Sequence, residues 1–238
     1  IVLKALAESS LNRNVTIKGG VVMRGLSNDS RRATQDMDID FIRYSLSDES
    51  ITAFVQKLNC LQGIHIERYG EIEELRQQDY HGKRIFVRIS DDSGEVIESK
   101  IDLGVHKHLS IEQEEFCFDI ACFDDGANLL VNSKEQMFTE KLRSLLKFGG
   151  NSTRFKDIFD MCYLSELVNR EQLMGCFHTF IFDDPGMREN FMQDVLQRIG
   201  NTFSNQIYMS RLSGSRKNWL ERPVDEVIET ILVFIKSL

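Results

Sequence analysis

The chain has 238 residues, 42% of them apolar, and a formal charge of −8. That is enough for one large domain or two small ones with real cores. The acidic balance argues against a general nucleic-acid coat, and no apolar run reaches the roughly 18 residues that a membrane span needs, so the expectation is a soluble protein with no membrane partner.

Ile1 to Leu11 has helical spacing and leads into a short strand, Val15 to Lys18. Gly19 and Gly20 permit close backbone approach, and Val21 to Leu26 reads as the first turns of a helix whose free N–H groups would suit a phosphate. From Arg32 to Phe41 the residues alternate. Met37, Ile39 and Phe41 fall on one face and Thr34, Asp36, Asp38 and Asp40 on the other, which predicts a strand carrying a row of carboxylates about 6.5 Å apart. Such a row repels itself unless cations sit on it. It is either the solvated face of an edge strand or, beside a phosphate-binding turn, the arrangement that metal-assisted phosphoryl or nucleotidyl transfer requires. No Gly-Lys-Ser/Thr ending is present for a P-loop, and Phe41 and Ser47 stand where an EF-hand needs its glycine and glutamate.

Ser47 and Ser50 predict the start of a helix buried through Ile51, Phe54, Val55 and Leu58. Strands are expected at Ile64 to Tyr69, Arg84 to Ser90 and Glu95 to Val105, the last two joined by a turn at residues 91–94. Asp102 lies opposite Ile101 and Leu103 on its strand. Further strands are expected at Phe116 to Cys122 and Leu129 to Asn132, with a turn at Asp124, Asp125 and Gly126. Beyond residue 132 only helical periods remain, which predicts an α+β domain over 1–132 and a helical domain over 133–238.

In the second part, Ser133 and Gln136 have capping-box spacing and open a helix to about Phe148. Its buried face is Met137, Phe138, Leu142, Leu145 and Phe148, with Lys141 in the middle. A lysine there either snorkels or reaches an anionic ligand. Taken as unpaired, Lys141 would leave stability unchanged or improved when replaced by Ala. Asp157 and Asp160 follow one helical turn apart, and both could simply pair with Arg154 or Lys156. The last helix is expected to begin near Pro223 and to bury Val227, Ile228, Ile231, Leu232 and Ile235.

The glycine pair followed by R-x-T-x-D-x-D, the later KIDLGV segment, and K-x-x-x-L followed by R-x-K-D-x-x-D resemble, in order, the motifs of the AbiE-type (AbiEii/AbiGii) toxin nucleotidyltransferases, a branch of the DNA polymerase beta-like superfamily. The resemblance covers about residues 15 to 165. It implies a nucleotidyltransferase-fold mixed sheet with helices, followed by a helical domain that contributes to the active-site cleft. By that pattern Asp36, Asp38 and Asp102 hold two Mg²⁺ ions, or Mn²⁺, with Asp40 an extra carboxylate. Gly19, Gly20, Thr34, Lys141 and Arg154 bind the nucleoside triphosphate, Asp157 serves the acceptor, and Asp160 is its structural companion.

The implied function is transfer of a nucleoside monophosphate from an NTP to RNA, at the tRNA 3′ end, by a cytoplasmic toxin with a cognate antitoxin. Segregated charge would let an acidic protein bind RNA. Residues 112–125 carry six acids and no base, residues 141–156 five bases and no acid, and Arg211, Arg216, Lys217 and Arg222 surround Trp219, which could be a core residue or a stacking platform. The alternatives are transfer to a small molecule or protein, as in antibiotic-modifying enzymes, and a nucleotide-binding module without turnover. Zinc at His106 and His108 is disfavoured for want of a third ligand. Cys60, Cys117, Cys122, Cys162 and Cys176 contain no CxxC pair and read as reduced core thiols. The chain opens on Ile1 rather than Met, which predicts native residues ahead of it.

Overall fold

The computed structural model describes residues 1–77, 80–121 and 123–238, with side chains at all of these except 76, 77, 80 and 81. Cys122, read from the sequence as a core thiol, therefore lies outside the described residues. The chain divides into two compact units, Ile1–Asn132 and Ser133–Leu238.

The first unit holds α1 (Val2–Glu8), β1 (Val15–Lys18), α2 (Gly20–Ser27), β2 (Met37–Phe41), α3 (Asp48–Lys57), β3 (Ile64–Gln77), β4 (Tyr80–Asp91), β5 (Val96–Val105), β6 (Glu114–Ile120) and β7 (Phe123–Val131). The strands form one seven-stranded sheet in the order β3-β4-β5-β2-β1-β7-β6. β3, β4 and β5 make an antiparallel meander, β2 joins β5 in parallel and β1 antiparallel, and β1 joins β7 in parallel. The fold is α+β with a mixed sheet. Alternate residues explain why these segments are strands: Ile17, Ile39, Phe41, Ile85, Val87, Ile101, Leu103 and Val131 are buried. The Phe41 ring meets Phe54 of α3 at 5.0 Å, so α3 covers this face of β2. α3 starts as its sequence predicts, with the Ser47 hydroxyl accepting from the Ser50 N–H at 3.2 Å.

Three boundaries differ from the sequence reading. β2 begins at Met37, not Arg32, so Asp36 lies just off the strand. The reason is that β1 stops at Lys18, opposite Asp38, where Gly19 turns the chain at φ 66° into α2. Beyond that point β2 has no partner on its β1 side. Asp124, Asp125 and Gly126 belong to β7 rather than to a turn, with Ile120 paired to Phe123 at the hairpin. β3 and β4 run far past their apolar cores because they pair with each other out to Gln77 and Tyr80.

The second unit contains α4 (Lys134–Phe148), α5 (Phe155–Ser165), α6 (Arg170–Phe177), α7 (Met192–Phe203), α8 (Gln206–Ser213) and α9 (Val224–Lys236), with a 3₁₀ turn at Gly149–Asn151 and a π-helical turn at His178–Phe182. The Ser133 hydroxyl accepts from the Gln136 N–H at 3.1 Å, while the Gln136 side chain turns to Glu140. Met137, Phe138, Leu142 and Leu145 are buried as the α4 period predicts, but Phe148, at the last turn, is exposed. α9 follows Pro223 and buries Val227, Ile228, Ile231 and Ile235, with Leu232 half-buried. Cys162 and Cys176 are core residues, whereas Cys60 and Cys117 are exposed. Cys117 sits on β6, a strand at the edge of the sheet. Among the described residues no helix is long and apolar enough to cross a membrane.

Candidate active site

In the first unit, strand register assembles a line of charge across the sheet. Lys18 of β1 lies opposite Asp38 of β2, Asp38 beside Asp102 of β5, Asp102 opposite Arg84 of β4, and Arg84 opposite Glu73 of β3. Two carboxylates thus meet at the centre with a cation on either side. The glycine turn touches this line directly. A Cβ on Gly19 would stand 2.6 Å from the Asp38 Oδ2, and one on Gly20 would stand 2.3 Å from the Thr34 hydroxyl. Only glycines let the α2 N-terminus lie this close to the carboxylate strand. Gly19, Gly20, Thr34, Asp36, Asp38 and Asp102 are therefore gathered in one place.

Asp36, Asp40 and Asp102 are each held by a cation of the chain itself. Lys18 Nζ meets the buried Asp40 at 2.8 Å, Lys100 Nζ meets Asp36 at 2.6 Å, and Arg84 grips both oxygens of Asp102, at 2.7 and 2.8 Å. Burial pushes the Asp38 carboxyl above the usual carboxylate range; Lys18 opposes the shift, and the charges of Asp102, Asp36 and Asp40 add to it. A cation of the magnesium class takes oxygen donors only, and a cation beside Asp38 would relieve both the burial and the repulsion, so the donor chemistry fits. As the side chains stand, no group of three acidic, histidine or cysteine residues among the described residues forms a ready metal cage. Arg84 and Lys100 engage Asp102 and Asp36 instead. The counterion roles of Lys18, Arg84 and Lys100 were missed in the sequence, although all three sit on the polar phase of their strands.

A second cluster lies within the helical unit. Lys141 of α4 is buried and meets Asp157 Oδ1 at 2.9 Å and Asp160 Oδ2 at 2.8 Å, both from α5. Arg154 Nε donates to the other Asp157 oxygen at 2.7 Å, and the Trp219 indole donates to the other Asp160 oxygen at 3.0 Å. Burial by itself would lower the Lys141 pKa, but the two carboxylates outweigh it and hold the ammonium charged. The expectation that Lys141 is unpaired, and removable without loss of stability, is thereby corrected: its removal would strand two buried carboxylates.

The basic surfaces expected for RNA also need correction. Trp219 is buried, packs at a tilt against Tyr163 with ring centroids 5.4 Å apart and is tied to Asp160, so it offers no platform for a base. Within 141–156, Lys141 is internal and Arg143 is paired with Asp184 at 2.6 Å, which breaks the basic run. Within the acidic stretch, Asp125 meets Lys4 and Glu115 meets Arg13. His106 and His108 follow the end of β5 rather than lying on it, and His106 is buried beside Gln113.

A crystal structure of an antigenic nucleotidyltransferase-like protein from Paracoccidioides brasiliensis is similar to this chain, at 19% identity over 89% of this chain and 90% of that one, with a TM-score of 0.48. No curated protein sequence matches the chain. The sequence pattern of the nucleotidyl transferase AbiEii toxins of type IV toxin–antitoxin systems matches residues 1–217, which takes in the glycine turn, both central carboxylates and the Lys141 cluster. With that span of the sequence matched, the chain belongs to the AbiEii nucleotidyltransferase toxin family.

Proposed function

We propose that this nucleotidyltransferase toxin moves a nucleoside monophosphate from an NTP to RNA, with the tRNA 3′ end as acceptor, in a magnesium-dependent reaction in the cytoplasm. The observation that carries the reading is the juxtaposition of Asp38 and Asp102 on adjacent strands, directly against the Gly19–Gly20 turn. Asp36, Asp38 and Asp102 are the residues that would hold the metal. When bound, magnesium would supply charge neutralisation for the reacting phosphate.

The remaining roles belong to the chain itself. Around the centre of the strip the carboxylates Asp36, Asp38, Asp40 and Asp102 outnumber the cations Lys18, Lys100 and Arg84, and Glu73 adds a further carboxylate opposite Arg84. Each divalent ion that joins it makes the strip more positive, and so more attractive to a triphosphate. The backbone N–H groups at the start of α2 favour a phosphate oxygen, and the Thr34 hydroxyl beside them, which donates to the Asp36 carbonyl at 3.3 Å, would turn to a phosphate by giving up that bond. An ammonium has three hydrogens, and two of those on Lys141 are taken by Asp157 and Asp160, which leaves one for an anionic ligand. Arg154, more than half exposed, adds a second positive charge there. Asp157, paired with Lys141 and Arg154, is the group to orient the acceptor hydroxyl. Positioning and charge supply the catalysis. A cognate antitoxin, which the family implies, is the expected partner.

The test is incubation of the full chain with each labelled NTP, magnesium and total cellular RNA. A labelled band of tRNA size that disappears with Asp38→Asn is the expected result. Label in a protein or small molecule with tRNA unmodified would overturn the acceptor assignment and leave nucleotidyl transfer standing.

A further inference from the structure

Arg84 is the one cation of the strip that occupies both oxygens of a central carboxylate, and no motif noted in the sequence includes it. It is fixed in place from two directions. Its strand register sets it directly opposite Asp102, and its own strand is anchored by the buried neighbours Ile85 and Val87. The bidentate pair takes the chelating edge of the Asp102 carboxylate, the lone pair of each oxygen that faces the guanidinium, so a cation cannot use that edge while the pair is closed. Asp38, on the other side of Asp102, has no such grip. The pair is partly exposed, so it can open without unfolding the sheet.

We propose that Arg84 is a latch on Asp102: the guanidinium holds the carboxylate away from Asp38, and a divalent cation enters between the two acids only as Arg84 lets go. Metal entry and Arg84 release are then a single exchange, and Arg84 is a positioning residue that sets metal affinity without touching the metal. This rests on the metal-binding reading of Asp38 and Asp102 given above.

The exchange is measurable without turnover, by titrating Mn²⁺ into the nucleotide-free full chain and following free Mn²⁺ by electron paramagnetic resonance. Arg84→Gln should bind Mn²⁺ at least about tenfold more tightly than wild type, the ratio that corresponds to about 1.4 kcal/mol of lost competition. The gain should vanish when Asp102→Asn is added. Arg88→Gln removes the same charge four residues along β4, from a pair with Glu98, and should leave affinity unchanged. If Arg84→Gln does not fold, Arg84→Lys keeps the charge but cannot grip both oxygens, and should fall between wild type and the tenfold gain. Equal affinity in wild type and the Arg84 variants, or an equal gain in Arg88→Gln, overturns the latch while leaving the metal site intact. Absence of Mn²⁺ binding in every variant would overturn the metal site itself.

Discussion

Replacing Lys141 by Met tests the helical unit most directly, because Met keeps an unbranched chain only one atom shorter and removes the ammonium, its charge and its hydrogen bonds together. Lys141 is buried between Asp157 and Asp160, and Asp160 has no exposed surface. Breaking a buried ion pair by removing one partner costs about 3–5 kcal/mol. Here Arg154 stays on Asp157 and the Trp219 indole on Asp160, so the lower end, about 3 kcal/mol, is expected. At roughly 2–4 °C per kcal/mol for a chain of this size, Tm should fall by about 6–12 °C, read by calorimetry at pH 7. Adding Asp160→Asn to Lys141→Met should cost less than the two single changes summed, since Asn can still accept from Trp219 without carrying an unpaired charge. The pH dependence has a definite sign. The folded-state pKa of Lys141 is raised above the usual 10.5, so its stabilisation is present at all pH below that value and is lost as pH climbs through the higher folded value. A Lys141→Met protein melting within about 1 °C of wild type would refute the buried ion-pair account.

The first unit and the cysteines give further tests. Gly19→Ala forces a side chain into a positive φ and against Asp38, and should destabilise by about 1–2 kcal/mol while abolishing Mn²⁺ binding in the same titration. Asp38→Asn removes a charge that burial and three neighbouring carboxylates disfavour, so the metal-free protein should melt higher than wild type even though nucleotidyl transfer is lost; a lower Tm would contradict the repulsion. Native alkylation at pH 8 followed by peptide mapping should modify Cys60 and Cys117 but spare Cys162 and Cys176, the latter because burial pushes its thiol up to about 12. Rapid labelling of Cys176 would show that α6 opens in the native state.

What the sequence determined by itself is local. Period-two alternation in β1, β2 and β5 marked which residues share a face, the glycine pair marked where the backbone must come close, and serine caps marked the starts of α3 and α4. These signals are carried by neighbours in the chain, and so they are readable there. The tertiary structure decided what those faces meet. Asp36 leaves the strand because β1 has already turned away at Gly19. Asp102 stands beside Asp38 through a parallel ladder between distant segments, and only register makes Lys18, Lys100 and Arg84 the counterions of particular carboxylates. The same holds for Lys141 and Trp219. Helical period placed Lys141 amid apolar neighbours, and Trp219 stood among four basic residues, but whether a buried charge or indole has a partner depends on which helix packs against it, and α5 supplies Asp157 and Asp160. Alternation fixes the direction in which a side chain points; the energy of a charge depends on what lies within a few ångströms in space, which no local pattern records.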